Sequence, residues 1–297
     1  MVMLPPLLFS PRPHPLEQGL ANRLECEKGR LEQRLFPDGE SYLRLHSDVK
    51  DRDCIILLDL THPNDKYLPL IYLTDTLREY GARSIGLVVP YLPYMRQDIR
   101  FHEGEAITSR IFAKSLSNHL DYMVTIDPHL HRYDSLDEIY SIKTKVVAGA
   151  PALANHFKNQ SNLLLVGPDS ESEQWVGDIA RHSDHPFVIG EKLRSGDRKV
   201  KVSLPDLSAY SGYHAVIIDD VISSGQTLLQ CLSALHEQGI TQASCAAVHG
   251  IFADQSDQLL MDSGIESLIT CNTIPHSSNL VDVTDLLIDP IKDCLGS

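Results

Sequence analysis

Short apolar, β-branched runs recur along the chain, separated by stretches of helical period. In the first half the runs fall at Leu4–Phe9, Cys54–Leu60, Ser84–Pro90 and Tyr122–Ile126. Their length and nearly continuous apolar character are those of strands buried on both faces of a parallel sheet. Between them, Leu16–Leu24 and Tyr67–Tyr80 place apolar residues three and four apart and predict helices, the second ended by Gly81. Glu105–Ser109 predicts the opening of a further helix through Leu120, with Thr108 or Ser109 near its cap. After a charged, weakly periodic stretch at 135–144 without a glycine-rich linker, a second series begins near 146. Its predicted strands are Leu163–Val166, Phe187–Ile189, Ala215–Ile218, Ala243–Val248 and Ser267–Cys271, with helices over 151–159, 172–182, 227–238 and 255–263. Strand alternating with helix twice over predicts an α/β protein of two doubly wound domains with mainly parallel sheets.

Composition narrows the classes. A chain of 297 residues can form two cores, and 42% hydrophobic with 22% charged residues excludes disorder. A formal net charge of −14 argues against a nucleic-acid surface, so anionic ligands must be met by local arginine, lysine, backbone N–H groups or metal. Six cysteines (26, 54, 231, 245, 271, 294) form no C-x-x-C pair and read as reduced, buried side chains. The proline-broken N-terminus lacks a basic region, and no apolar run reaches membrane-spanning length. The expectation is a cytoplasmic protein with no membrane partner.

Six segments carry chemistry. Val216–Ile218 ends in Asp219 and Asp220; the loop Ser223-Ser224-Gly225-Gln226-Thr227 follows, and then a helix. A strand, a tight loop and a helix N-terminus make an anion cradle, and the two acids suit hydroxyl groups or Mg²⁺; a sugar phosphate satisfies both halves. A βα turn without a ligand is the alternative. Phe36-Pro-Asp-Gly-Glu40, between two alternating runs, predicts a hairpin tip, either a plain turn or an aromatic ring with Asp38 and Glu40 presented to a base. Tyr91–Arg100, beyond a strand's carboxyl end, gathers Arg96, Gln97, Asp98 and Arg100, either as a solvated loop or as a triphosphate contact. Asp127-Pro-His-Leu-His131 puts His129 and His131 in a loop beyond a strand, where histidine can meet metal or phosphate. Asn162–Asp169 delivers an acid at another strand end. Lys192 and Arg194 alternate on an extended segment before a Ser195-Gly196-Asp197 turn, either as a solvated basic loop or as a flap over a charged transition state.

The string V-I-I-D-D-V-I-S-S-G-Q-T resembles the phosphoribosyl-diphosphate loop shared by type I phosphoribosyltransferases and ribose-phosphate diphosphokinases, the PRPP synthetases. The first half decides between them. F-P-D-G-E, P-Y-x-x-Y-x-R-Q-D-x-R and D-x-H resemble ATP-binding segments of the synthetases, and the resemblance runs from about residue 7 to 290. It implies two tandem phosphoribosyltransferase-like domains, at 1–146 and 147–282, with a C-terminal helix of about 283–297 returning to the first. It implies ATP contacts at Phe36, Asp38, Glu40, Arg96 and Gln97, and a metal role for His129 and Asp169. Ribose 5-phosphate contacts are implied at Asp219, Asp220, Ser223, Ser224, Gly225, Gln226 and Thr227, and catalytic roles for Lys192 and Arg194. Because the family's F-P-D-G-E loop reaches into a neighbouring subunit, a homo-oligomer is also implied.

The implied reaction transfers the diphosphoryl group of Mg²⁺-ATP to the C1 hydroxyl of ribose 5-phosphate. A non-catalytic regulatory relative, or a phosphoribosyltransferase using the same loop, is the alternative. Two departures stand out. Ser170-Glu171-Ser172-Glu173 replaces the small residues usual after the strand-end acid, and Ser223 stands where the synthetases often have an acid.

Overall fold

The computed structural model describes residues 4–130, 132–195 and 199–295, and the chain divides into two compact units. One comprises residues up to Ala148 together with the segment from Thr284, the other Gly149–Val283.

The first unit runs β1 (Leu7–Phe9), α1 (Glu17–Arg23), β2 (Glu27–Lys28), β3 (Leu31–Leu35), β4 (Ser41–Leu45), β5 (Asp53–Leu57), α2 (Asn64–Glu79), β6 (Ser84–Val89), α3 (Thr108–Ser117), β7 (Tyr122–Ile126) and β8 (Lys143–Val147). Six strands form a parallel sheet in the order β2-β1-β5-β6-β7-β8. Every residue of β1, β5 and β7 is buried, as both faces of a parallel sheet require. Gly86 in β6 has no substitute, because a Cβ there would lie 1.9 Å from the Tyr122 ring. The antiparallel pair β3–β4 stands outside this sheet as a hairpin.

In the second unit the order is α4 (Ala150–Phe157), β9 (Leu163–Gly167), α5 (Glu173–Ser183), β10 (Phe187–Ile189), β11 (Glu191–Ser195), β12 (Lys199–Ser203), β13 (His214–Ile222), α6 (Gln226–Glu237), β14 (Ala243–Gly250), α7 (Ser256–Asp262), β15 (Leu268–Cys271) and β16 (Asn279–Val281). Its parallel sheet has the order β10-β9-β13-β14-β15-β16, and β11–β12 form a separate antiparallel ribbon. The final helix, α8 (Thr284–Leu295), packs in the first unit, where Lys145 on β8 meets Asp293 at 3.2 Å.

Several elements depart from the sequence reading. The strand expected to stop at Ile218 continues through both acids to Ile222. The helix expected from Glu105 starts at Thr108. The weakly periodic charged stretch runs into β8, an edge strand whose first residues are polar because only one side is paired.

Both sheets reverse their strand order at one place, between β1 and β5 in the first and between β9 and β13 in the second. In open parallel sheets that reversal opens a crevice at the carboxyl ends of the strands, where ligands bind.

Candidate active site

The second unit's crevice holds the sugar-phosphate elements. β13 pairs with β9 only as far as Ile217–Val166, then continues beside β14 to Ile222. Asp219 and Asp220 therefore lie on the stretch where one edge of β13 has lost its neighbour. The Asp220 N–H donates to the Asp219 carboxylate at 3.0 Å. Burial, and then the charge of Asp220 with a smaller contribution from Asp169, holds the Asp219 carboxyl well above the usual carboxylate range. Beyond Ile222 the chain turns through Ser223 and Ser224 to Gly225, whose φ of 72° is in the left-handed region. Gly225 is the N-cap of α6 and supplies no side chain. The N–H groups of the first turn, from Gln226 and Thr227 onward, thus lack a capping side chain and suit an anion. Ser256 fixes the loop from behind by donating its hydroxyl to the Ser223 carbonyl at 2.5 Å.

Asp169 follows β9 and caps a 3₁₀ turn, Ser170–Ser172, by accepting the Glu171 N–H at 3.0 Å. That turn explains the Ser-Glu-Ser-Glu departure. Ser172 is buried and donates to the Asp169 carbonyl at 2.6 Å, whereas Glu171 and Glu173 are exposed. Lys192, on β11, forms an ion pair with Asp169. The structure thus joins a residue expected in the flap to one expected at the metal. Arg194 lies on the same strand two residues on, but its side chain is outside the described residues, as are Gly196–Arg198 and His131.

The nucleotide-side candidates belong to the first unit. Phe36, Asp38 and Glu40 occupy the tip of the β3–β4 hairpin. There the Phe36 N–H donates to the Glu40 carbonyl at 2.8 Å, and Gly39 has a φ of 91°. The Arg34 guanidinium lies 4.6 Å from the Phe36 ring and 4.2 Å from that of Tyr42. Arg96 is exposed after β6, and Gln97 is half-buried with its carbonyl accepting the Ser109 N–H at 3.3 Å. His129 is half-buried after β7; it and Asp127 have φ values of 53° and 35° on either side of Pro128. Strained backbone of this kind persists where the surroundings impose it, often at functional sites.

Sequence reasoning passed over two interactions here. Asp98 is 1% exposed and accepts from Arg132 Nη1 at 2.6 Å, tying the loop after β6 to the one after β7. Asp59, after β5, is buried and meets Lys66 Nζ at 2.6 Å and the Thr61 hydroxyl. An acid at a strand end was the available signal for Asp59; nothing local marked Arg132. Among the described residues, no group of three or more His, Cys, Asp or Glu side chains is arranged to hold a metal ion by itself. No helix among them is long and apolar enough to cross a membrane.

Comparison with known proteins agrees with these two halves. The family model described as the N-terminal domain of ribose phosphate pyrophosphokinase matches residues 7–119, and a phosphoribosyl transferase domain model matches 135–285. The ribose-phosphate pyrophosphokinase of Sulfurisphaera tokodaii is 30% identical over 277 residues, covering 91% of this chain and 94% of its own. That of Methanopyrus kandleri is 27% identical over 285 residues, covering 95% and 96%. A solved structure of phosphoribosylpyrophosphate synthetase from Mycobacterium smegmatis shares the fold with a TM-score of 0.84, at 24% identity, over 98% of this chain and 99% of that one. Matched along nearly its whole length, the chain belongs to the ribose-phosphate pyrophosphokinase family.

Proposed function

We propose that the chain catalyses transfer of the β,γ-diphosphoryl group of ATP to the C1 hydroxyl of ribose 5-phosphate, giving 5-phosphoribosyl 1-diphosphate and AMP. The C1 oxygen bonds to the β-phosphorus as its hydroxyl proton is lost to water, the bond from that phosphorus to the α,β-bridging oxygen breaks, and AMP leaves with the electron pair. The observation that carries the reading is the β9/β13 crevice. It sets the Asp219–Asp220 pair and the Ser223–Thr227 loop at the carboxyl edge of one sheet, with Asp169 beyond the end of β9 and Lys192 of β11 paired to it.

In this reading Asp219 and Asp220 accept hydrogen bonds from the ribose hydroxyls, and the loop N–H groups hold the 5-phosphate. Lys192 leaves Asp169 to neutralise the transferring group, and Arg194 acts with it. Arg96 and Gln97 bind the triphosphate, while Phe36, Asp38 and Glu40 recognise adenine. Transfer of this kind needs position and charge neutralisation more than covalent help, so no strong general base is required.

The residues fit Mg²⁺. The Asp219 carboxyl is held well above the usual carboxylate range by burial and then by the charges of Asp220 and Asp169, an excess of negative charge that a cation would relieve. Asp169 in the second unit and His129 in the first would each offer a ligand to Mg²⁺. Mg²⁺ is usually carried by one or two carboxylates and substrate phosphates, so a closed protein cage is not needed. When bound, it supplies neutralisation of phosphate charge. A homo-oligomer is also part of the proposal, supported by Leu35 and Phe36, which are 68% and 39% exposed on the hairpin.

Chromatography of nucleotides after incubation with Mg²⁺-ATP tests the reading. AMP should accumulate only when ribose 5-phosphate is present; AMP formation indifferent to the sugar phosphate would defeat it.

A further inference from the structure

We propose that Asp98 and Arg132 are positioning residues for the reaction, locking the triphosphate segment after β6 to the His129 loop after β7 so that the two are presented together. The inference rests on the assignment of Arg96 and Gln97 to ATP. All the residues concerned belong to the first unit.

The stretch from Pro90 to Ile107 contains no strand or helix, so its shape depends on side-chain anchors. One anchor precedes Arg96. Tyr94, with a φ of 62°, donates its hydroxyl to the Asn64 side chain on α2, and its ring centroid lies 4.8 Å from that of Phe112 on α3. Met95 and Asp98 are both buried, and Arg96 between them is exposed. Anchored on either side, Arg96 is directed to the surface.

Asp98 is the second anchor, and the loop after β7 holds it twice. Its carboxylate accepts from Arg132 Nη1 at 2.6 Å, and its carbonyl accepts from the Tyr133 hydroxyl at 3.1 Å. The same hydroxyl lies 3.1 Å from Ser109 Oγ and accepts from Arg110 Nε at 3.3 Å, both on the first turn of α3. Arg132 and Tyr133 follow His129 by three and four positions. A displacement of Asp98 therefore moves Arg96 and Gln97 on one side and the His129 loop on the other.

Asp98 Oδ2 is buried and meets no hydrogen-bond donor among the described residues, so the side-chain tie passes through Oδ1. Arg132 has a side chain 47% exposed, and its guanidinium lies 5.5 Å from the ring of Phe101, further along the same stretch. An ion pair of this kind adds little net stability, because desolvation of the carboxylate offsets the attraction. What it secures is register between two loops whose groups must meet one ligand within a fraction of an ångström.

Equilibrium dialysis of the full chain against radiolabelled ATP with Mg²⁺ tests the proposal. Asp98→Ala and Arg132→Ala should each weaken ATP binding about tenfold, and the double variant no further than the worse of the two, since both remove one contact. Asp98→Asn keeps an oxygen for Arg132 Nη1 and should bind ATP as the wild type does. Arg78→Ala breaks a 2.9 Å ion pair with Asp121 at the opposite, amino end of β7; it controls for stability alone and should leave ATP binding unchanged. Alanine variants that melt earlier yet bind ATP like the wild type, or a double variant whose loss is the product of the single losses, would overturn the positioning role. Because binding is read rather than turnover, a wild type that binds ATP but forms no AMP with ribose 5-phosphate would count against the proposed reaction and not against the pair.

Discussion

Asp219→Asn keeps the shape of the side chain and removes its charge, and the structure makes opposite demands on stability and activity there. Burial and Asp220 raise the Asp219 pKa in the folded state. A group with a raised folded-state pKa favours folding at pH values below its unfolded value, about 3.9, and that advantage is lost as pH rises through the folded value. Above that folded-state value the wild-type protein bears the penalty of an ionised Asp219 beside Asp220. Repulsion between neighbouring like charges is on the order of a few kcal/mol at an effective dielectric near 20. The Asp220 N–H bond to Asp219 offsets on the order of 1 kcal/mol, leaving about 1–2 kcal/mol for the substitution to recover. Asp219→Asn should raise Tm by several degrees at pH 8 and by nothing at pH 4, while R5P-dependent AMP release falls at least tenfold. Circular dichroism melts across that pH range, with the AMP assay at pH 8, measure both. A variant less stable than wild type at pH 8, or a gain that persists at pH 4, refutes the electrostatic reasoning.

Three further outcomes are expected. Lys192→Ala should lower kcat about a hundredfold with little change in the KM for ATP; its ion pair with Asp169 is 40% exposed on the lysine side, so stability should move by less than about 1 kcal/mol. Steady-state kinetics and a melt check this, and an unchanged kcat would remove Lys192 from the mechanism. Gly225→Ala places a Cβ 3.4 Å from Leu260, an ordinary contact, but demands a left-handed alanine at about 1 kcal/mol; the KM for ribose 5-phosphate should rise while that for ATP stays put. Chelation with EDTA should abolish turnover yet leave the melting curve in place, since no cluster of three or more metal-ligating side chains holds a structural ion among the described residues.

The sequence was most legible where a single period dominates. β5, β7 and β9 match runs read from the chain to within a few residues, because both their faces are buried. The hairpin tip was equally plain, since Pro37-Asp38-Gly39 specifies a turn by its chemistry. β8 was missed because an edge strand with polar first residues has no apolar run. The extension of β13 was missed for a related reason. Two adjacent acids interrupt the apolar run that identified the strand, although β14 continues to supply backbone partners as far as Gly250. Asp219 and Asp220 could be named as candidate residues from sequence, but their position on an unpaired strand edge depends on where β9 stops. The Lys192–Asp169 and Asp98–Arg132 pairs join residues 23 and 34 positions apart, and local patterns carry no such information.

The most direct test of the central claim is the fate of labelled phosphate. With ATP carrying ³²P at the β position, Mg²⁺ and ribose 5-phosphate, the purified protein should place the label in 5-phosphoribosyl 1-diphosphate, one equivalent for each AMP released. Label recovered in ADP, or remaining in ATP at every ribose 5-phosphate concentration, would contradict the account.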